Sequence, residues 1–522
     1  MCSPIPVVDC STAQVLHTRA PVQRNLPGVC SMVKGKTMDR THETSPRRAS
    51  RPHRQLRRMV KSAVVSGVSV TVALSIVTAC SSEPSSIGGP TSATTAVSKG
   101  TVLATGAQLE LEEQVRKILA TDVMRSQIDQ VAQLYRADPQ AAHPAGAATV
   151  DSSAKAIGAA AAQYAVTGDP DRPAFMWTVA PSHRFADKPM PASGYGIENP
   201  DNVYRQSAIS GDSAYEIRGR LGKGGPLELH LEFRDAIPGT TSFTAEGGGI
   251  VGSISSENLQ TTDDGDFVIT VDSRPADGRP NHIRIPPGKT SRALARDLID
   301  DWSSQGPAPL EIRRISGPPA APQRDTDTLA ARSAEILSQI APFWVKYFNT
   351  YYYSQEPNTI RAVRERPGGR GVSTGGWFRL RDDQALTFTV DPLGARSLGV
   401  QLSDPWGAAY EYRRRTSSLN TSQATPNPDG TYTFVISEKD PGIDNWLDPD
   451  GHGSGMIALR WQSFPAERSK PLDRALRDVA VVDVADLAST RDSGAATVSP
   501  SERDTQRSQR QAAFDRRMTA TR

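Results

Sequence analysis

The sequence predicts an α+β fold made of duplicated antiparallel β-sandwich-like modules with flanking helices. Two observations predict it. Segments in which apolar and polar residues alternate fall into two blocks, and each block follows a segment with helical periodicity. The blocks also match each other, because an Asp-Gly turn signal opens a strand in both, at 263–271 and at 428–436. Two such modules give a β-rich core with helices packed outside.

Two further matches occur in the same order in both blocks. Upstream of the turn, Ser255–Asn258 corresponds to Ser417–Asn420, and downstream, 281–286 corresponds to 445–449. Within the downstream match the first copy has His282 where the second has a tryptophan. Three matches in one order indicate an internal repeat.

The chain divides into six segments by composition. In order, these are an N-terminal extension that is disordered or mis-assigned (1–58), a lipoprotein signal segment (59–79), a flexible tether (80–107), helices with the first β-module (108–315), a helix with the second β-module (325–468) and a C-terminal tail with a short basic helix (469–522).

The signal segment ends at a cysteine in a lipobox-like context. A basic stretch precedes the modestly apolar run 63–76, which is too short for a permanent membrane span. Val-Thr-Ala-Cys, ending at Cys80, resembles a bacterial lipobox, in which the thiol accepts diacylglycerol. We therefore expect export, cleavage before Cys80 and lipid anchoring on the extracytoplasmic face of the cell membrane. Arg57-Arg58 resembles a twin-arginine motif, and an ordinary Sec signal fits equally well.

The distribution of cysteines fits an exported protein. The chain has four cysteines, and Cys2, Cys10 and Cys30 precede Cys80. The mature chain would keep only the acylated one. We therefore expect no disulfides, no cysteine nucleophile and no cysteine-bound metal.

Helices and strands alternate along the mature chain. We predict one helix over 111–135, stopped by Asp138-Pro139, an alanine-rich helix over 151–166 and a third beginning near Thr328. The aromatic face of the third helix is more typical of a core than of a ligand site. The clearest predicted strands are 215–221, 227–233, 267–271, 385–390 and 398–402.

Composition excludes some functional classes. The net charge is +3, and much of the basic excess lies in the signal segment and the tail, which argues against nucleic acid as a partner. A hydrophobic content of 37% with a mean hydropathy of −0.44 indicates a globular protein on a tether. The excess of arginine over lysine, with abundant alanine, glycine and proline, suggests a GC-rich genome such as that of an actinobacterium, so the predicted lipoprotein is of an actinobacterial type.

Two stretches resemble a known family. The run from 428 to 436, then Asn445-Trp446-Leu447, then the strand 456–461 is similar to the end of the bacterial domain of unknown function twelve-fourteen. Asn199-Pro200-Asp201-Asn202-Val203-Tyr204 resembles the N-P-D-x-x-Y signature of its usual companion, domain twelve-fifty-four. The resemblance covers roughly 375–465 best and 195–315 less well. It implies a β-sandwich-like fold, and it implies no established reaction or cofactor.

Several motifs suggest chemistry that their context does not support. Gly371–Gly375 reads G-x-S-x-G, but it lacks the strand before and helix after the serine of a nucleophile elbow, so we predict a glycine-rich loop. Residues 448–455 fit a cation-binding loop poorly and predict a polar hairpin loop. The histidines after Cys80 show no metal-binding spacing. We therefore assign no catalytic residue, metal or cofactor.

The candidate ligand residues are aromatic side chains and arginines. We expect Tyr204, Trp377, Trp406 and Trp446 to line a pocket if there is one. Arg413 and Arg415 are candidates for an anionic group, although a solvated strand edge explains them more simply. Trp446 either plugs the end of the sheet core or lines the pocket, and we favour the plug.

These features predict an envelope-anchored lipoprotein that binds an apolar or amphipathic small molecule or acts as an interaction module. The alternative is a metal-independent hydrolase of envelope material. The lipid anchor makes the membrane a partner, and the oligomeric state is open. Ser499-Pro500-Ser501-Glu502 predicts a capping box that starts a basic helix, which we expect to be loosely docked or free, with contact to anionic lipid as the alternative.

Overall fold

The protein has an α+β fold with two β-sandwich-like modules and flanking helices. The computed structural model describes residues 101–185, 188–240, 247–366, 371–465, 468, 470–487 and 497–519. The predicted lipidation site Cys80, the signal segment 59–79 and the extension 1–58 lie outside the described residues. None of the described helices is long and apolar enough to cross a membrane.

Among the described residues, three α-helices precede the first module, one lies between the modules and one follows the second module. They are α1 Gly106–Leu119, α2 Asp122–Ala137, α3 Pro144–Val166, α4 Thr326–Tyr351 and α5 Pro500–Thr519. The alanine-rich α3 is buried and packs against α1, α2 and α4. A Cβ at Gly158 would lie 2.6 Å from Cγ1 of Ile128, so glycine permits the close approach of α3 and α2.

The prediction of one helix over 111–135 is wrong, because α1 ends and α2 begins near Thr121. The Thr121 hydroxyl donates to the carbonyl of Ile118 at 2.7 Å, and it accepts the backbone N–H of Met124 at 3.4 Å. One side chain therefore ends α1 and caps the N-terminus of α2.

The described residues of the first module form a five-stranded sheet, a four-stranded sheet and a separate small hairpin. Its strands are β1 Met176–Thr178, β2 His183–Phe185, β3 Lys188–Met190, β4 Asn202–Ser210, β5 Ala214–Arg220, β6 Glu228–Arg234, β7 Ile250–Ser255, β8 Asp266–Asp272, β9 His282–Arg284, β10 Thr290–Leu298 and β11 Leu310–Ser316. The large sheet has the order β1-β4-β10-β6-β7, and the small sheet has the order β11-β5-β8-β9.

The second module repeats this arrangement. Its strands are β12 Thr359–Ile360, β13 Arg364–Glu365, β14 Val372–Arg379, β15 Gln384–Val390, β16 Ser397–Ser403, β17 Ser418–Asn420, β18 Tyr432–Ser437, β19 Trp446–Leu447, β20 Ser454–Gln462 and β21 Leu476–Asp483. The large sheet has the order β12-β14-β20-β16-β17, with β13 also paired to β14, and the small sheet has the order β19-β18-β15-β21.

The duplication is confirmed strand for strand. β4-β10-β6-β7 corresponds to β14-β20-β16-β17, and β11-β5-β8-β9 corresponds to β21-β15-β18-β19. Even the one parallel pair recurs, as β8 with β9 and as β18 with β19. β21 lies in the predicted tail, so the second module extends beyond residue 468.

A matching pair of asparagines holds the same loop in each copy. Asn281 has φ of +49° and exchanges two hydrogen bonds with the backbone of Gln260, at 2.8 and 2.7 Å. Asn445 has φ of +53° and does the same with Thr425, at 2.8 Å in both bonds. Asparagine tolerates this left-handed conformation better than most residues.

The upstream sequence match is wrong by three residues. Ser255 lies opposite His230 at the end of β7, and Asn420 lies opposite Gly399 at the end of β17. Both then accept backbone N–H groups from the third and fourth residues after them. Ser255 therefore corresponds to Asn420 and not to Ser417. The two copies therefore share the turn at this point and not the serines.

The prediction of a glycine-rich loop at Gly371–Gly375 is also wrong. Val372 to Gly375 belong to β14, which pairs with β20 along its whole length. A Cβ at Gly376 would lie 1.9 Å from the carbonyl oxygen of Thr359, so the glycines permit close strand approach. The serine lies within a strand and not at a strand-to-helix turn, which excludes the elbow geometry.

Helix α5 is firmly docked, contrary to the expectation of a loose or free helix. The capping box is present, since Ser499 Oγ accepts the N–H of Glu502 at 3.3 Å and Glu502 Oε2 accepts the N–H of Ser499 at 2.8 Å. Arg510 and Arg517 are 7% and 1% exposed, and their guanidinium groups lie 4.3 and 4.1 Å from the ring centroid of Trp302. The periodic arginines face inward because an indole supplies cation–π contacts.

Candidate functional site

A cleft of about 1100 Å³, including space open to solvent, lies where the large sheets of the two modules meet α3 and α4. β4 and β10 line it from the first module, and β14 and β20 line it from the second. Its aromatic residues include six tyrosines: Tyr164, Tyr195, Tyr204, Tyr347, Tyr351 and Tyr352. Its cationic residues are Arg292, Arg296, Arg366 and Arg460. A concave site with many aromatic faces and a few charged groups is typical of small-molecule binding.

Strand alternation on β10 places two of these arginines in the cleft. Ala293 and Ala295 point into the sandwich core of the first module. Arg292, Leu294 and Arg296 consequently face the cleft, because successive side chains in a strand point to opposite sides. The strand thus presents a cationic, an apolar and a cationic side chain in succession.

Arg292 is a buried cation without a carboxylate partner among the described residues. It is 9% exposed, and its Nη1 donates to Gln206 Oε1 at 3.0 Å. Its guanidinium carbon lies 5.2 Å from the ring centroid of Tyr164. Nε and Nη2 have no hydrogen-bond partner in the described part of the chain. A buried charge of this kind costs free energy unless an anion pairs with it.

Glu198 supplies a carboxyl group to the same cleft. It is 8% exposed; Oε1 accepts the N–H of Ala409 at 3.0 Å, and Oε2 has no hydrogen-bond partner among the described residues. Burial raises the pKa of Glu198 to about 8; the Ala409 N–H and Arg460 oppose this shift, and Asp404 reinforces it. Near neutral pH the carboxyl group is therefore mostly protonated and adds little negative charge to the cleft.

Hydroxyl and indole groups complete the polar wall. The hydroxyls of Tyr164 and Tyr195 hydrogen-bond to each other. Burial raises the pKa of Tyr195 well above its ordinary value, and Tyr164 raises it further, so the phenol is neutral. Trp344 is 5% exposed, and its indole N–H has no partner among the described residues. These groups can donate to a ligand while their rings provide apolar contact.

The second module contributes Arg460, which pairs with an amide and not with a carboxylate. Its guanidinium donates to Gln401 Oε1 and to the carbonyl of Ile197. Neither acceptor carries a formal charge. Arg460 therefore adds positive potential to the cleft.

Of the predicted ligand residues, Tyr204 lines the cleft. Its ring lies 6.0 Å from the guanidinium carbon of Arg296, and its hydroxyl accepts the N–H of Asn199 at 3.1 Å. Its placement comes from β4, which pairs with β10 so that Tyr204 lies opposite Arg296.

The three predicted tryptophans are buried, at 7% exposure or less, and are absent from the described cleft lining. Each indole N–H donates to a backbone carbonyl oxygen: Trp377 to Gln355 at 2.9 Å, Trp406 to Gly146 at 3.0 Å and Trp446 to Ser437 at 3.0 Å. The structure does not bring them together with Tyr204.

The two predicted arginines are held by carboxylates away from the cleft. Arg413 contacts Glu411 at 3.0 Å through Nε and lines a separate cavity. Arg415 forms ion pairs with Asp448 at 3.0 Å and with Asp450 at 2.7 Å. Intramolecular pairing of this kind explains both residues without a ligand.

Sequence reasoning missed Arg292, Glu198 and Arg460. A signal was present for the first, since Thr290–Leu298 alternates arginine and leucine on one face with alanine on the other. Glu198 precedes the Asn199-Pro200-Asp201 stretch, but its burial depends on contacts with residues around 404–409 that lie far away in sequence. The aromatic face of α4 contributes both to the core and to the candidate ligand site, because Trp344 belongs to the helical core and also lines the cleft.

The described residues offer no obvious hydrolytic or metal centre. No group of three or more His, Cys, Asp or Glu side chains in the described part of the chain could hold a metal ion. Ser373 lines the cleft, and no histidine occurs among the described residues around it. The hydrolase alternative stays a prediction.

Comparison with known proteins shows the fold and nothing beyond it. No family model matches the chain, and no curated protein matches it, so the resemblance to family twelve-fourteen stays a prediction. The crystal structure of an uncharacterized protein from Burkholderia cenocepacia is similar, with 22% identity, a TM-score of 0.56 and coverage of 73% of this chain and 100% of that one. A protein from Vibrio parahaemolyticus has 9% identity and a TM-score of 0.33, over 54% of this chain and 90% of that one.

Proposed function

We propose that this protein is an envelope-anchored lipoprotein that binds an anionic, amphipathic small molecule in the cleft between its β-modules. The observation that carries the proposal is Arg292, a buried guanidinium in a tyrosine-lined cleft, two of whose nitrogens have no hydrogen-bond partner among the described residues. A carboxylate or phosphate would supply the missing charge-assisted hydrogen bonds.

The surroundings of Arg292 support an amphipathic ligand over a small inorganic ion. Leu294 and the tyrosine rings offer apolar area along the cleft, whereas a small ion needs only the arginine. Arg460 adds positive charge, and Glu198 is mostly neutral near pH 7 because burial raises its pKa to about 8. The cleft therefore favours a molecule with an acidic group on an apolar body.

The proposed location rests on the lipobox-like sequence at Cys80. An acyl anchor holds a protein at the membrane surface, where amphipathic molecules partition. The ligand that we propose is therefore amphipathic, as the sequence predicts, and in addition carries an acidic group.

Co-purification tests the proposal. The full-length protein is isolated from its native envelope, and the bound small molecules are identified by mass spectrometry. We expect an acidic amphiphile in the wild type and at least about tenfold less of it in Arg292→Met, since hydrogen bonds to charged groups are the strongest in such sites. Arg313→Met is the matched control, because that side chain is 65% exposed and lies outside the cleft lining. Equal recovery from both variants would contradict the proposal.

A further inference from the structure

A small pocket adjoins the cleft, with about 330 Å³ of empty space when the part open to solvent is included. Arg296 and Arg366 line both spaces, so the pocket continues the cleft beyond these two side chains. Asn202 and His230 contribute from the first module, and Ser463 contributes from the second. The pocket thus lies at the junction of the modules.

Three of the residues that line this pocket each carry a buried polar atom with no hydrogen-bond partner among the described residues. They are Asn202 Oδ1, His230 Nε2 and Ser463 Oγ, on residues that are 8%, 9% and 6% exposed. Glu232 Oε1 lies 3.5 Å from His230 Nε2, which is long for a hydrogen bond. Buried polar atoms in folded proteins almost always have partners, so this concentration points to a bound group.

The charges around the pocket disfavour a second anion. Arg296 already contacts Glu232 at 3.1 Å, and Glu228 lies 3.6 Å from Nδ1 of His230. The carboxylates offset the cations, in contrast to the surroundings of Arg292. A neutral group that both donates and accepts would satisfy Asn202 Oδ1 and Ser463 Oγ together.

The spacing of residues along β10 gives the length of a molecule that reaches from Arg292 in the cleft to Arg296 at the pocket. Arg292 and Arg296 lie on the same strand face, four residues apart, which places them roughly 13 Å from each other along the strand. Leu294 lies between them on that face. A bridging ligand would be polar at both ends and apolar in the middle.

We infer that the pocket binds the neutral hydrogen-bonding end, a hydroxyl or primary amide, of the same ligand whose anionic end pairs with Arg292. This inference rests on the proposed function and specifies its ligand as an elongated acid with a polar far end. Asn202 and Ser463 are the residues that distinguish such a molecule from a simple fatty acid.

Calorimetric titration of the full-length protein with ω-hydroxydecanoate and with decanoate tests the inference. The two probes share the carboxylate and the chain, and only the first carries the terminal hydroxyl. We expect ω-hydroxydecanoate to bind about fivefold tighter, as for one or two additional net hydrogen bonds. Ser463→Ala should abolish that difference and leave decanoate binding unchanged. Ser338→Ala is the control, because Ser338 is exposed on α4 and lines neither the cleft nor the pocket.

The outcomes separate this inference from the proposed function. If decanoate binds in an Arg292-dependent way and the hydroxyl adds nothing, the pocket inference fails and the proposed function stands. A pocket that holds only a bound water gives that same result. If neither acid binds, both fail. If Ser463→Ala weakens both probes equally, Ser463 acts on the fold and the inference is overturned.

Discussion

The two β-modules have the same strand order, and they differ at the positions that face the cleft. On β10, Leu294 lies opposite Glu232, and on β20 the corresponding Ala458 lies opposite Gln401. The neighbouring arginine is kept in both copies, as Arg296 and Arg460. The first copy neutralises its arginine with a carboxylate at 3.1 Å, whereas the second uses an amide.

A second difference concerns Arg292. Its counterpart in the second module is Met456. Arg292 pairs with Arg234, the last residue of β6, and Met456 pairs with Ser403, the last residue of the corresponding strand β16. Met456 is fully buried in the helical core, whereas Arg292 faces the cleft. The two modules thus share the same backbone pairing. They differ in single side chains at equivalent positions, and these differences make the cleft between the modules asymmetric and positively charged.

The largest expected effect concerns Trp446, which occupies the position of His282. Trp446→Ala should lower the free energy of unfolding by about 3–5 kcal/mol, because it removes a buried indole and leaves a cavity. His282→Ala should cost only about 1–2 kcal/mol, chiefly through its hydrogen bonds with Thr270 at 2.8 Å and with the Arg274 carbonyl at 3.0 Å. Urea unfolding of both variants measures the difference. An unchanged free energy of unfolding for Trp446→Ala would eliminate the role of this indole as a plug of the sheet core.

Replacing either of the two matching asparagines, Asn281 or Asn445, should lower the free energy of unfolding, by different amounts. Asn445→Ala should cost about 2 kcal/mol and Asn281→Ala about 1 kcal/mol, since both lose the two loop hydrogen bonds, and Asn445 is more buried and also loses a bond to the Thr433 carbonyl at 3.1 Å. Chemical denaturation provides the comparison. A loss at one position alone would show that the two loops are not equivalent in energy.

Binding of an acid should weaken as the pH rises through about 8. Burial raises the pKa of Glu198 to about 8, so deprotonation above that pH adds a negative charge beside the cleft. We expect the affinity for decanoate to fall about fivefold between roughly pH 7 and pH 9, as Coulomb repulsion at a partly buried site predicts. Glu198→Gln should be insensitive over this range. Titration calorimetry at both pH values decides, and an equal fall in the variant would assign the effect to another group.

Making the second module resemble the first should weaken anion binding slightly. Gln401→Glu places a carboxylate beside Arg460, as Glu232 lies beside Arg296. We expect about threefold weaker decanoate binding from this charge compensation. Gln401→Met, which removes the amide without adding charge, is the control. Tighter decanoate binding in Gln401→Glu would show that positive potential in the cleft does not drive binding of the anion.

The elements that sequence could predict are those defined by local chemistry. The strands after Asp264-Gly265 and Asp429-Gly430, and the capping box at Ser499, depend on residues within a few positions of one another. The α+β class and the duplication followed from them.

The elements that sequence missed depend on distant partners. β10 carries Arg292, Arg296 and Asp297, and these charges hide its strand character in the sequence. Asp297 is compensated from the neighbouring strand, since its carboxylate accepts from Arg205 of β4 at 2.6 Å and both side chains are buried. α5 resembled a solvated helix because its inward face consists of arginines that stack on Trp302. Burial of a charge requires a partner that local periodicity does not reveal. Lipid anchoring at Cys80 stays a prediction.

The central claim is that Arg292 makes the cleft an anion site, and one titration tests it most directly. Decanoate is titrated into the wild type, into Arg292→Met, which installs the residue of the second module, and into the exposed control Arg313→Met. We expect the wild type and Arg313→Met to bind equally, and Arg292→Met to bind at least about tenfold more weakly. Equal affinity in all three proteins would contradict the account.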